Sequence, residues 1–121
     1  MMKENANIIT DPVAQREEYI RNHSETREKI GPRITEAVCH IYGVTIGEIL
    51  TSYIYGNLVE ARGTILYLMH SFGIPIKEIA EDTAFSRPRI CQSLQATRER
   101  IEKNPEYAKI VEDLIKYLSH E

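Results

Sequence analysis

Apolar residues recur along most of the chain at the spacing of a helix. In the stretch 58–72, Ala61, Ile65, Leu68 and Phe72 fall at i, i+4, i+7 and i+11, which places them on one helical face. Similar stripes occur at Ile34, Val38, Ile41 and Tyr42, at Ile90, Leu94, Thr97 and Ile101, and at Ile110, Leu114 and Leu118. No segment alternates apolar and polar residues as a strand does, so the pattern predicts an all-α, multi-helix domain.

Capping residues predict where these helices begin and end. Thr45 and Glu48 have the spacing of a capping box, in which each side chain accepts a hydrogen bond from a backbone N–H at the helix start. Gly43 and Gly73 follow apolar stretches, where a left-handed residue commonly ends a helix. Further N-caps are predicted at Asp11, Asn57, Ser86 and Asn104, and Pro75 is expected at the start of a helix.

The N-terminal third is more polar than the rest. Residues 1–10 are aperiodic and predict a tail, whereas 12–29 predict a polar helix with a thin apolar stripe, ended by Gly31-Pro32. This helix either lies loosely on the body or packs against a partner. We therefore divide the chain into an N-terminal tail and helix, residues 1–33, and a helical domain, residues 34–121.

Composition fits one globular domain, with 121 residues, 42% hydrophobic and 27% charged. The sequence has neither a signal-peptide core nor a run of membrane-span length, so we expect a soluble, cytoplasmic protein with no membrane partner. A net charge of −3 counts against strong non-specific binding of nucleic acid. The distribution is uneven, since residues 86–100 contain four arginines and one acid.

The stretch 76–102 has the pattern of a helix-turn-helix. A short helix, 76–83, and a tight turn precede an amphipathic helix, 86–102, whose outward positions near its start include Arg87 and Arg89. An arginine fork matches either guanine O6 and N7 or a phosphate, and the positive end of the helix adds to the attraction. The alternative is an αα-corner with solvated arginines, because any two tightly joined helices give this pattern.

The order of these segments resembles a known family. From Ile34 to Ile101, the chain resembles the C-terminal DNA-binding domain of the bacterial replication initiator DnaA, a helix-turn-helix of the Trp-repressor-like group. The segments that carry the resemblance are ITEAVCHIYGVTIGEILTS, LVEARGTILYLMHSFG, IPIKEIAEDTAF and SRPRICQSLQATRERI. The resemblance implies binding to double-stranded DNA by a stand-alone regulator or accessory replication factor, and it implies that Arg62, which matches a family arginine, lies near a phosphate.

Several positions depart from the family's pattern. The family carries a glycine pair, an arginine, an Asp-His dipeptide and two small hydroxyl residues in the turn and recognition helix. Here those places are taken by Ala84-Phe85, Ser86, Arg87-Pro88 and Arg89-Ile90. The loop YIYGN is uncharged where the family's loop is basic, and no GxxxxGK[ST] phosphate loop of an ATPase occurs. The departures imply either another sequence preference or a loss of DNA binding.

We therefore predict a DNA-binding site, with a competing hypothesis. The predicted site residues are Arg62, Ser86, Arg87, Arg89, Gln92, Ser93 and Gln95. The acidic balance implies modest affinity, which a homodimer formed through the N- or C-terminal helix could raise. The competing hypothesis is a protein-interaction module that kept the fold and lost DNA. Positive charge confined to the arginine face favours DNA, whereas interleaved acids favour the module.

No residues form a catalytic or metal-binding pattern. The four histidines are scattered, and Cys39 and Cys91 are far apart without further ligands at metal spacing. We expect no enzyme, no cofactor and no metal site, and we expect Cys91 to be a small buried thiol.

Overall fold

The computed structural model describes residues 24–51 and 56–120, with side chains described from residue 30 onward. All regular structure in these ranges is helical, so the all-α prediction is confirmed. The helices are α1 Ser24–Tyr42, α2 Ile46–Ile49, α3 Leu58–Ser71, α4 Ile76–Thr83, α5 Arg87–Lys103 and α6 Pro105–Ser119. None of them is long and apolar enough to cross a membrane.

Helix α3 lies at the centre and packs against both α1 and α5. Its predicted stripe is buried, with Ala61, Ile65, Leu68 and Phe72 all in the core. Helix α5 comes especially close at Gly63, where an added Cβ would lie 2.7 Å from Thr97 Oγ1. Helix α6 packs on α5 and α1, and α4 packs on α5 and α3. Helix α5 is therefore fixed to the body along its inner face.

Helix α1 runs straight through Gly31-Pro32, so the predicted helix end there was wrong. Ile30, Ile34 and Val38 are all buried and form one stripe across the proline, and this burial favours a continuous helix. A glycine before proline has no Cβ to clash with the proline ring. The proposed boundary at residue 33 falls inside this helix, while the predictions for residues 1–23 lie outside the described residues.

Most predicted caps are formed. Thr45 and Glu48 make both bonds of a capping box, and Asn104 Oδ1 accepts from the N–H groups of Glu106 and Tyr107. Asn57 occupies the N-cap position of α3, but its side chain donates to the carbonyl of Tyr42 instead. Its predicted capping bond was therefore wrong, and the side chain ties α3 to the end of α1.

Three further polar contacts join the helices around α3. The hydroxyl of Tyr42 donates to Glu60 Oε2, and the hydroxyls of Thr64 and Tyr107 share a hydrogen bond. Arg100 Nε lies 3.9 Å from Glu60 Oε1. Ile41, predicted on the buried face of α1, is 50% exposed, because Tyr42 makes the contact at this end of the helix.

Candidate nucleic-acid interface

The predicted pair of helices is present as α4 and α5, joined by residues 84–86. Ala84 has the left-handed conformation, with φ 63°, and ends α4. Phe85 is buried, and its N–H donates to Thr83 Oγ1 over 3.3 Å. Ser86 caps α5 as predicted, since its Oγ accepts from the Arg89 N–H at 3.3 Å. The turn is short and held by its own residues.

The orientation of α5 follows the sequence pattern. Ile90, Leu94 and Thr97 are buried, as the predicted inner stripe requires. The predicted outward positions Arg87, Pro88, Gln92, Gln95 and Glu99 are exposed. The first half of α5 therefore presents arginine and glutamine side chains to solvent.

Ser93 belongs to a different side of α5 from these outward residues. It is half-buried, and an added Cβ on Gly63 would lie 3.4 Å from its Oγ. The hydroxyl thus faces the central helix α3 and fills the space left by glycine. Arg87, Gln92 and Gln95 are all exposed on α5, whereas Ser93 is half-buried against α3.

Arg62 is buried beneath the surface and is only 5% exposed. Its Nε donates to the carbonyl of Ile49 at 2.7 Å, and its Nη2 lies 3.4 Å from the carbonyl of Glu48. Both carbonyls belong to the last two residues of α2, so Arg62 ties that short helix to α3. Burial, and then the neighbouring Arg89, lower the pKa of Arg62. Its contact with a phosphate stays a prediction.

Arg89 is half-buried and lies over the aromatic ring of Phe85. Its Cζ is 4.1 Å from the ring centroid, well within the range of a cation–π contact. The sequence pattern predicted Arg89 as a site residue but did not predict its contact with Phe85. An aromatic residue four positions before an arginine could have indicated this contact from sequence. The start of α5, however, lies between the two residues.

The charge around the motif is uneven. Residues 83–98 contain no aspartate or glutamate but carry Arg87, Arg89 and Arg98. The nearest acids along the chain are Asp82 and Glu99. Asp82 lines a groove of about 510 Å³ beside α1 and α2, together with Pro32 and Leu50. Along the chain, the first half of α5 therefore carries arginines with no acid between them.

The remaining candidate groups offer little chemistry. Cys91 is exposed, so the expectation of a buried thiol was wrong for it, whereas Cys39 is buried. Burial, and then the charge of Glu48, raise the pKa of the Cys39 thiol. Among the described residues, no group of three histidine, cysteine or carboxylate side chains could hold a metal ion.

No protein-family model, curated protein or solved structure matches this chain. The resemblance to the DnaA C-terminal domain rests on the sequence segments that carry it.

Proposed function

We propose that this chain is a double-stranded DNA-binding helix-turn-helix protein, related to the DnaA C-terminal domain. It acts in the cytoplasm as a regulator or accessory replication factor. The observation that carries the proposal is the start of α5, where the exposed Arg87 and the half-buried Arg89 lie at the positive end of the helix and no acid follows before Glu99. Phosphates are the ligand that best fits a helix start with two arginines, and the major groove admits such a helix.

The outward residues of α5 span a distance along the helix axis that matches a short base sequence. Arg89 and Gln95 are six positions apart, so they span about 9 Å along the helix axis. This corresponds to roughly two to three base pairs at about 3.4 Å per step. Gln92 and Gln95 have amides that match adenine N6 and N7, and arginine matches guanine. The protein therefore reads a short half-site.

A single half-site would be bound with modest affinity because the whole chain is acidic. A homodimer would contact two half-sites and raise the apparent affinity without any new contact to DNA. The C-terminal helix α6 is one candidate for the dimer contact, since Tyr117 is 63% exposed on it. The N-terminal region, residues 1–33, is the other candidate from the sequence.

The test is fluorescence anisotropy with a labelled pool of random-sequence duplexes of about 20 base pairs, two turns of DNA. We expect binding that weakens as salt rises, and weaker binding by the double variant Arg87→Ala/Arg89→Ala at every salt concentration. The matched control is Lys103→Ala/Lys109→Ala, which removes the same charge from exposed positions at the far end of α5 and near the start of α6, away from Tyr117. This control should bind nearly as the wild type does.

Stability measurements separate loss of contact from loss of fold. Arg87 is exposed and Arg89 half-buried, so we expect the double alanine variant to melt within a few degrees of the wild type. An absence of wild-type binding even at low salt would contradict the proposal. A control variant that loses as much affinity as the arginine variant would also contradict it, because the effect would then follow net charge alone.

The second candidate, a protein-interaction module, also has an observation in its favour. Ile46 is 52% exposed and Leu50 is 48% exposed on neighbouring turns of the short helix α2 and its end. Clustered exposed apolar side chains are typical of protein contacts. If the wild type does not bind DNA at low salt, this function becomes the better explanation of the same fold.

A further inference from the structure

We propose that Arg89 is the residue that reads a base, that Phe85 positions it, and that Arg87 contacts phosphate. This assignment of roles to the three residues rests on the proposed DNA-binding function. Arg87 and Arg89 are close in sequence and carry the same charge, so composition does not distinguish them. Their surroundings differ in three ways. Arg89 contacts an aromatic ring and lies near the positive charge of Arg62, whereas the side chain of Arg87 is free of such contacts.

The ring of Phe85 is a fixed platform. Phe85 is only 6% exposed and belongs to the core, and its N–H is bonded to Thr83 Oγ1, whose hydroxyl donates to the carbonyl of Ile79. The turn, α4 and the ring are thus linked. A guanidinium lying 4.1 Å above this ring has fewer accessible conformations than a free one. Arg89 is therefore ordered before DNA arrives.

A guanidinium lying on a ring keeps its hydrogen-bond donors. The N–H groups lie in the guanidinium plane, so contact through its face leaves the planar fork available for guanine O6 and N7. Among the described residues, none accepts a hydrogen bond from the Arg89 side chain and none forms an ion pair with it. The fork is held in place with its donors still available.

Arg62 is a second positive charge near Arg89. The two charges are close enough for Arg89 to lower the pKa of Arg62, and Arg62 already donates to the carbonyls of Ile49 and Glu48. Like charges in a partly buried setting repel, and an electronegative base edge beside Arg89 relieves part of that repulsion. The buried arginine thus favours an outward, DNA-facing Arg89.

Arg87 has none of these constraints. It is exposed as the first residue of α5, with neither a ring contact nor an ion pair among the described residues. A long, free side chain loses conformational entropy when it is fixed against a base. Contact with a phosphate demands less exact geometry and carries no sequence information. Arg87 is therefore suited to affinity rather than to specificity.

The experiment is a double-mutant cycle with Phe85→Leu and Arg89→Ala. Binding is measured by anisotropy on duplexes enriched from the random pool by the wild-type protein. We expect Phe85→Leu to weaken binding about five-fold when Arg89 is present, as the loss of a cation–π contact predicts, and less than two-fold when Arg89 is replaced by alanine. A ring with a merely structural role would weaken binding equally in both backgrounds, which would overturn the positioning role.

Arg87 supplies the matched control. Phe85→Leu should weaken binding by the same factor in the wild-type protein and in the Arg87→Ala variant, so the coupling is specific to Arg89. Enrichment repeated with Arg89→Ala should relax the preference at one base pair, whereas Arg87→Ala should keep the preferred sequence and reduce the salt slope by about one. If Arg87→Ala relaxed the sequence preference and Arg89→Ala only reduced the salt slope, the roles proposed for the two arginines would be wrong.

A second variant covers the case in which Phe85→Leu does not fold. Arg89→Lys keeps the charge but loses the planar fork, so it should bind the enriched duplexes nearly as weakly as Arg89→Ala. Wild-type affinity in Arg89→Lys would overturn base reading by Arg89. Wild-type protein that binds the pool but enriches no sequence would also overturn it, while DNA binding itself would stand. If the wild-type protein does not bind DNA at all, the proposed DNA-binding function is contradicted, and the roles given to Arg87 and Arg89 are contradicted with it.

Discussion

Replacing Gly63 with alanine tests the closest contact between the central helix and α5. Gly63 lies within α3, where its Cα faces α5. An alanine Cβ would lie 2.7 Å from Thr97 Oγ1 and 3.4 Å from Ser93 Oγ. The first distance is well inside van der Waals contact, and Thr97 is itself 1% exposed, so its side chain has little space into which to move. The helices must separate or rotate.

Two opposing effects set the magnitude. Alanine is favoured over glycine in a helix interior by about 1 kcal/mol, which alone would stabilise the variant. Overpacking of a close core contact costs about 1 to 3 kcal/mol, and the 2.7 Å separation places this site toward the upper end. We expect a net loss of about 1 to 2 kcal/mol of unfolding free energy. For a domain of this size, that lowers Tm by roughly 4 to 10 °C.

The assay is thermal and urea unfolding followed by circular dichroism, with two further variants. Gly47→Ala is the matched control, because the nearest described atom to its new Cβ is 3.8 Å away, and it should be neutral or slightly stabilising. Adding Thr97→Ala to Gly63→Ala should recover part of the loss, because the clashing oxygen is removed. A Gly63→Ala protein as stable as the wild type would refute the close approach of α3 and α5.

Two other predictions concern the turn and the tyrosines. Ala84→Gly should raise unfolding free energy by roughly 0.5 to 1 kcal/mol in urea titrations, since alanine at φ 63° is strained and glycine is not; an unchanged or lower value would contradict this. Burial, and then the bond to Glu60, raise the pKa of Tyr42, and burial raises that of Tyr107. The unfolded chain then ionises first, so stability is full below about pH 10 and is lost as pH rises further. Tyr42→Phe should therefore show a shallower fall of Tm between about pH 9 and 11, and an equally steep fall would contradict this sign.

The helices themselves were largely predictable because burial has a simple period. The stripe of α3 and the inner stripe of α5 were both placed correctly, and the capping residues located the starts of α2, α5 and α6. The prediction that a helix ends at Gly31-Pro32 was wrong, because the local tendency of proline to end a helix was weaker than the packing of α1 on the rest of the domain. Burial of Ile30 and Ile34 on either side of the proline outweighs the loss of one backbone donor.

The candidate site was predictable only in part, since sequence gives a residue's position on a helix but not what lies beneath it. Arg87, Gln92 and Gln95 are outward because their own helix turns them so. The burial of Arg62 depends on the end of α2, thirteen residues away in the chain, and that contact has no sequence signal. The partner of Arg89 is likewise found across the turn, in Phe85.

Local charge makes the proposed DNA contact of α5 compatible with an acidic chain. Residues 83–98 carry three positive charges and no negative one, so the other residues together hold −6. At physiological salt, charges more than about 8 Å apart in solvent are largely screened, and a phosphate on α5 therefore interacts chiefly with the arginines beside it. Long-range steering does depend on the whole chain, and its negative sign slows the approach of DNA at low salt. If the chain binds DNA as proposed, contact at α5 rather than attraction at a distance supplies the affinity, which suppresses non-specific association and leaves more of the discrimination to the geometry of Arg89.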